Sequence, residues 1–178
     1  MVNDAQHIDV LIVERSICYE IHERLLYAVH RCRAAGALLA VTWPEYRLAP
    51  SSLGMRMRVF GDGDALKAFA DATSPLSQAG LVTVGNIEPT PATDARITFY
   101  RDRAAEKNDG YLARQNRHEA KNGRSMRKRV TARPAPFYLR MRSQSTRQSY
   151  SLFVNVAVDD ASLRGGASYG LGYPLPRF

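Results

Sequence analysis

The order of the apolar periodicities in the first half of the chain constrains the fold more than any other sequence feature. Residues 8–13 form a short β-branched run that is typical of a central strand. The apolar positions that follow are Ile17, Ile21, Leu25, Val29 and Cys32. Because they recur at spacings of three and four, and Gly36 stands where a C-terminal cap belongs, they predict an amphipathic helix.

Two strands, a second helix and a fourth strand follow in the same half. Either Asp62 or Asp64 can cap the second helix, which can continue over Pro75. The predicted strands are 37–43, 55–60 and 81–84. The order strand-helix-strand-strand-helix-strand is the ferredoxin-like arrangement that many RNA-binding modules use. We therefore predict an α+β protein with an N-terminal ferredoxin-like (RRM-like) domain at residues 1–88, a fold that assigns no function by itself.

A proline-rich break at residues 88–94 marks the predicted domain boundary. Beyond a short strand around residues 97–99, alternate residues of 137–142 and 152–156 are apolar, which predicts a β-hairpin. The turn between these two strands is rich in hydroxyl, amide and guanidinium groups, which suit a phosphate or a ribose. A Ser- and Gln-rich surface turn is the plainer alternative. The second predicted region is residues 96–178.

The positive charge of the chain is concentrated in one segment. Residues 96–142 contain 14 Lys or Arg against 4 Asp or Glu, a local net charge of +10, so the rest of the chain carries −2 within the total of +8. A basic block on an otherwise neutral protein indicates a polyanionic partner, most often nucleic acid.

Part of this segment would form a one-sided basic stripe on an arginine-rich helix. Its cations are Arg114, Arg117, Lys121, Arg124 and Lys128. They fall within about 80° of one another, because each helical residue advances by about 100°. Like charges at neighbouring helical positions repel, and a phosphate backbone would supply the missing counter-charge. A merely solvated helix is the alternative, but a stripe of nearly one sign favours nucleic acid.

The composition argues against several other classes of protein. The sequence has neither a run of about 18 apolar residues nor a basic-then-apolar signal at its start, so we expect a cytoplasmic protein with no membrane partner. Cys18 and Cys32 would lie in one helix roughly 21 Å apart, too far for a disulfide, and we interpret both as helix packing residues. With no other cysteine there is no zinc cluster, and we expect neither a metal nor a cofactor.

Three parts of the chain carry recognisable motifs. They are Val29-His30 late in the first helix, residues 142–153 (RSQSTRQSYSLF), and Tyr169-Gly170-Leu171 followed by Pro176-Arg177-Phe178. Together they resemble one family, the CRISPR repeat-processing endoribonuclease of type I-F systems. The resemblance extends loosely over nearly the whole chain. It implies a ferredoxin-like N-terminal domain, an arginine-rich helix in the major groove of an RNA stem-loop, and metal-independent cleavage at the 3′ base of that stem with retention of the product.

The resemblance also implies roles for three residues in catalysis. His30 matches the family's catalytic histidine, Ser143 the serine that anchors the attacking 2′-OH, and Tyr169 the tyrosine that orients the active-site groups. Histidine suits proton transfer because its ordinary pKa lies near neutrality. Whether His30 is the base or the acid stays open. Without the other motifs, a histidine on the helix surface would be the simpler interpretation.

Further residues would contact the RNA. By the same matching, Ser145 and Thr146 lie near the cleavage point and Tyr150 stacks on the closing base pair. Hydrogen bonding within the turn and a place in the hairpin core are the respective alternatives. The linker departs from the family pattern, since Arg101 and Arg103 flank an aspartate where the family commonly has an arginine and a glutamine. Either arginine can bond a guanine, but adenine recognition by glutamine is lost.

Two functional hypotheses follow from these observations. The first is an endoribonuclease that cuts CRISPR precursor RNA and stays on the crRNA hairpin as a subunit of the Cascade complex, next to its backbone protein. The second is a non-cleaving stem-loop binder that caps a guide RNA. The joint presence of His30, Ser143 and Tyr169 favours the first.

Overall fold

The computed structural model describes residues 5–103, 116–117, 120–121, 136–143, 147–159 and 169–178. Its helices are α1 (Cys18–Ala34), which follows a short 3-10 turn at Arg15–Ile17, and α2 (Gly63–Gln78). Its strands are β1 (Gln6–Ile12), β2 (Ala40–Thr42), β3 (Arg47–Leu48), β4 (Ser51–Ser52), β5 (Arg56–Gly61), β6 (Val82–Pro89), β7 (Arg96–Arg101), β8 (Phe137–Arg142), β9 (Ser149–Val158) and β10 (Leu175–Pro176). Neither α1 nor α2 is long and apolar enough to cross a membrane.

The first sheet has the strand order β2-β5-β1-β6 and is antiparallel throughout. With helices after the first and third of its strands, this is the predicted ferredoxin-like arrangement, and β1 occupies a central position as its β-branched sequence indicated. The α+β class is confirmed.

Helix α1 forms where the apolar spacing predicted it. Gly36 ends it with a φ of +103°, a conformation that costs glycine little. Arg31 and Arg33 in the last turn complement the helix dipole. The buried face contains Ile21, His22, Leu25, Leu26, Ala28, Val29 and Cys32. Each large aliphatic side chain buried there stabilises the fold by about 1.5–3 kcal/mol. Cys32 is buried and Cys18 packs at the edge of the same core, which agrees with a packing role.

Helix α2 begins and ends close to the predicted positions. The carboxylate of Asp62 accepts a hydrogen bond of 2.8 Å from the backbone N–H of Ala65, which identifies Asp62, and not Asp64, as the cap. The helix continues past Pro75 to Gln78.

Two predicted boundaries in the first half were wrong, and one small hairpin was not predicted. Strand β2 is shorter than 37–43, because the N–H of Ala37 closes the last turn of α1 by bonding to Cys32. Strand β6 runs to Pro89, into the predicted break, since it pairs with β1 to its end. Its apolar pattern is weak because it is an edge strand, where a terminal proline is tolerated. The predicted polar loop contains a small hairpin, β3 and β4.

The second sheet has the order β10-β7-β9-β8 and contains the predicted hairpin. Strand β8 alternates strictly between buried and exposed residues, and its register on β9 pairs Leu139 with Leu152 and Met141 with Tyr150. Strand β10 was not predicted, because two residues carry no readable period.

The two sheets share a continuous hydrophobic core that includes residues from Ile8 to Leu171. The ring of Trp43, just after β2, lies 5.0 Å from the ring of Phe99 on β7, centroid to centroid. Tyr46 contacts the rings of both Phe99 and Phe137. The predicted division of the chain into domains at residues 1–88 and 96–178 stays a prediction, and residues of both regions contribute to this one core.

Candidate active site

His30 lies on the last turns of α1, where it faces the C-terminal part of the chain. It is half-buried, and its imidazole ring is 5.0 Å from the ring of Tyr169, centroid to centroid, with the planes inclined by 36°. Tyr27, three residues earlier on the same helical face, contacts His30 edge to face at 6.5 Å. One histidine is thus held between two tyrosines.

Residues 169–173, which we name the C-terminal strap, hold Tyr169 in this place. The N–H of Val41 on β2 donates to the carbonyl of Gly170 (3.0 Å), and the N–H of Gly172 donates to the carbonyl of Phe99 on β7 (2.7 Å). Gly170 has a φ of +73°, and a Cβ there would meet the Leu39 carbonyl oxygen at 3.0 Å. A glycine is therefore needed for the strap to pass so close to β2.

Arg33 fastens the other end of the strap to α1. Its guanidinium group donates to the backbone carbonyl of Leu39 and to the hydroxyl of Tyr173, the latter at 2.9 Å. The same group lies over the Tyr173 ring, 5.3 Å from its centroid. Because Arg33 is one helical turn beyond His30, this contact fixes the strap next to the histidine.

Tyr150 on β9 joins the hairpin to the strap. Its hydroxyl is hydrogen-bonded to the hydroxyl of Tyr169. Burial, and next the hydrogen bond to Tyr169, raise the pKa of Tyr150 well above its ordinary value, while the positive charge of Arg101 lowers it slightly. The Tyr150 phenol is therefore neutral at physiological pH and can donate a hydrogen bond but not take a proton.

A cleft of about 400 Å³ lies beside the Tyr27 ring and is lined by Tyr27, Arg142, Ser143 and Arg147. The N–H of Ser143 donates to the Gln148 carbonyl (2.8 Å), and Nε of Arg142 donates to the Arg147 carbonyl (3.2 Å). These two hydrogen bonds join the end of β8 to the residues that precede β9. Two guanidinium groups beside a hydroxyl form a surface suited to a phosphodiester.

The family model described as CRISPR-associated protein (Cas_Csy4) matches residues 4–174 of the chain. The chain belongs to this family. Its members are CRISPR-associated repeat-processing endoribonucleases of type I-F, so the resemblance carried by the sequence motifs is confirmed. Membership supports CRISPR repeat RNA as the partner and RNA cleavage as the activity of this protein. No curated protein matches the sequence.

Two of the three residues that the resemblance singled out for catalysis, His30 and Tyr169, are in direct contact, and the roles of all three stay predictions. His30 contacts Tyr169 directly, and Tyr27 links the histidine to the cleft that contains Ser143. Tyr150 is neither wholly in the hairpin core nor exposed, and its hydroxyl points to Tyr169.

The predicted RNA-binding residues are only partly described. Arg117 and Lys121 have helical backbone conformation and exposed side chains, whereas Arg114, Arg124, Ser145 and Thr146 lie outside the described residues. At the end of β7, Arg101 is half-buried and pairs with Val154, while Arg103 beyond the strand is exposed. The two linker arginines therefore occupy different environments.

Sequence reasoning missed Tyr27 and Arg33. Both lie three residues from His30 on α1, so helical spacing alone could have placed them on its face. Nothing local indicated that they contact the cleft and the strap, because both contacts are made with residues distant in the chain.

His22 is excluded from the site by its surroundings. It is fully buried, with Nε2 2.9 Å from the Gly54 carbonyl and Nδ1 3.2 Å from Nε1 of Trp43. Since the Trp43 nitrogen can only donate, Nδ1 accepts, and Nε2–H donates to Gly54. Burial lowers the pKa of His22 to about 4, against the smaller opposing effect of that carbonyl. This histidine is a neutral structural residue.

Proposed function

We propose that the protein cleaves CRISPR precursor RNA at the 3′ base of the repeat stem-loop and keeps the crRNA hairpin as a subunit of a type I-F-like Cascade complex. The observation that carries the proposal is the contact between His30 and Tyr169 next to the cleft of Ser143. The proposal takes His30 as the proton-transfer group, because Tyr27 contacts this histidine and also lines, together with Ser143, a cleft large enough for a ribose and its phosphate.

The proposed reaction is an internal transesterification that needs no metal. The ribose 2′-oxygen upstream of the cut loses its proton and forms a bond to phosphorus, while the bond from phosphorus to the 5′-oxygen breaks and that oxygen gains a proton. The products are a 2′,3′-cyclic phosphate and a 5′-hydroxyl. His30 transfers a proton, and the Ser143 hydroxyl anchors the attacking 2′-OH.

In the proposed reaction Arg142 and Arg147 stabilise negative charge on the scissile phosphate. Both line the cleft with Ser143, and negative charge on the phosphoryl oxygens grows as the 2′-oxygen attacks. Guanidinium groups held next to that position stabilise the transition state more than the ground state.

The remaining residues would hold the stem-loop. In the proposal Arg114, Arg117, Lys121 and Arg124 contact phosphates across the major groove, and Arg101 or Arg103 bonds a guanine near the foot of the stem. Ser145 and Thr146 contact the RNA near the cut, and the Tyr150 ring stacks on the closing base pair.

A cleavage assay in the presence of EDTA tests the proposal. The protein is incubated with an end-labelled repeat stem-loop, and a product that ends in a cyclic phosphate is expected at the 3′ base of the stem. A matched substrate with one 2′-deoxy sugar immediately upstream of the cut should bind equally well and stay intact. Tight binding without cleavage of the all-RNA hairpin would favour the alternative, a stem-loop protein that only caps a guide RNA.

A further inference from the structure

We infer that the hydroxyl of Tyr150 is a positioning group, which holds the phenol of Tyr169 against His30 and couples the hairpin to the catalytic histidine. This inference rests on the proposed function, because it assigns a further residue to the same site. It concerns the hydroxyl alone, and is independent of whether the Tyr150 ring stacks on the RNA.

Tyr169 has a buried polar atom that requires a partner. The residue is only 6% exposed, and its hydroxyl is bonded to the hydroxyl of Tyr150. A buried hydroxyl left without a hydrogen bond is destabilising, because it has lost its bonds to water and gained none in exchange. The hydrogen bond to Tyr150 therefore fixes the position of the Tyr169 hydroxyl, while the close approach of Gly170 to residues 39 and 40 fixes the backbone next to Tyr169.

Either hydroxyl can donate in this pair. In both orientations the hydrogen bond joins the same two phenol oxygens, so the place of the Tyr169 hydroxyl depends on Tyr150. Burial and this hydrogen bond raise the pKa of Tyr150, which keeps its phenol neutral and able to take part in the bond at physiological pH.

The hydrogen bond between Tyr150 and Tyr169 joins two elements of the site because of where Tyr150 lies on β9. Tyr150 pairs with Met141 and the next pair is Arg142 with Ser149, so it lies directly behind the hairpin end that bears Ser143. Tyr169 belongs to the strap that is packed on α1 and β2. The hydroxyl pair thus links the element that anchors the nucleophile to the element that orients the proton-transfer group.

Tyr150→Phe removes only this hydroxyl and keeps the ring. We expect single-turnover cleavage of the repeat stem-loop to slow by about 3- to 10-fold, from the loss of one hydrogen bond. The dissociation constant for the hairpin should stay within about twofold, because the ring and the basic residues remain. Tyr46→Phe is the matched control, since it removes the hydroxyl of another half-buried tyrosine, in the cleft beside Arg58 and Phe178.

A double-mutant cycle separates positioning from general support of the fold. In a Tyr169→Phe background, Tyr150→Phe should slow cleavage by less than about a further twofold, because its partner hydroxyl is gone. Equal effects of Tyr150→Phe in both backgrounds, or a wild-type rate for the single variant, would overturn the inference while the proposed function stood.

A measurement without RNA keeps the two proposals distinguishable. In the free protein, Tyr150→Phe should shift the ring NMR signals of His30 and Tyr169, whereas Tyr46→Phe should not. If the wild-type protein fails to cleave RNA, the proposed function is wrong, and unchanged ring signals in Tyr150→Phe would separately overturn the positioning role.

Discussion

The imidazole ring of His30 and the phenol ring of Tyr169 lie 5.0 Å apart, centroid to centroid, although they come from opposite ends of the chain. The contact depends on two different anchors. α1 presents the histidine, and the strap carries the tyrosine across β2, with Gly170 at the closest approach. Substitutions at either anchor should therefore affect RNA cleavage more than RNA binding.

His30→Ala should abolish most cleavage and leave hairpin binding nearly intact. Removing a proton-transfer group typically slows a reaction by about 10²- to 10⁴-fold, while the basic residues are untouched. Ser143→Ala should slow cleavage as well, and the two defects should combine less than additively if both act on one 2′-OH. Single-turnover rates and dissociation constants measure this, and a wild-type rate for His30→Ala would contradict the proposed site.

Gly170→Ala should slow cleavage because the added Cβ displaces Tyr169. At its φ of +73° a side chain is strained, and the Leu39 carbonyl oxygen lies 3.0 Å from the new atom. The control is Gly80→Ala, where φ is +70° but nothing lies within 4 Å. Both variants should lose about 1–2 kcal/mol from backbone strain, but only Gly170→Ala should lower the cleavage rate of the folded protein. Equal cleavage rates in the two variants would exclude a positioning role for the strap.

Removal of a cation from the basic stripe should weaken binding to every hairpin about equally. Arg117→Ala or Lys121→Ala should reduce the slope of log affinity against log salt by somewhat under 1 unit, because one fewer counterion is released. Lys67→Ala removes the same charge from an exposed position on α2 and is the control. A stripe variant with the same salt slope as Lys67→Ala would not contact phosphate.

Substitution of the two linker arginines, Arg101 and Arg103, should change different properties of the protein. Arg103 is exposed beyond β7 and we expect it to bond a guanine, so Arg103→Ala should relax discrimination among stem sequences by about 1–3 kcal/mol. Arg101 is half-buried beside Tyr150, and Arg101→Ala should instead change the cleavage rate. Competition binding with stems altered at single base pairs tests this, and the reverse pattern would assign base recognition to Arg101.

The protein should lose stability in mild acid because of His22. The pKa of His22 is about 4 in the folded state and about 6.5 in an unfolded chain, so between these values the unfolded state binds more protons. The free energy of unfolding should therefore fall by about 2 kcal/mol from pH 7.5 to pH 5 through this residue alone. Urea denaturation at both pH values measures it. His22→Gln should reduce that fall, and an unchanged fall would assign it to other groups.

Local sequence patterns predicted most of the secondary structure. The spacing of Ile21, Leu25 and Val29 predicts α1, and the alternation of Phe137, Leu139 and Met141 predicts β8, because each pattern follows from backbone geometry within a few residues. Asp62 was one of two candidate caps, and only the hydrogen bond to Ala65 distinguishes it from Asp64. The end of β6 escaped prediction because exposed edge residues have no apolar period.

The site was determined by the sequence only in part. The motifs identified His30, Ser143 and Tyr169 through their resemblance to a family, and the family is confirmed. Only the tertiary structure decided that Tyr150 bonds Tyr169, that Tyr27 links His30 to the cleft, and that Arg33 holds Tyr173. The physical reason is that these contacts join segments far apart in the chain, and no local periodicity records which distant side chain a residue will meet once the two sheets have packed on one core.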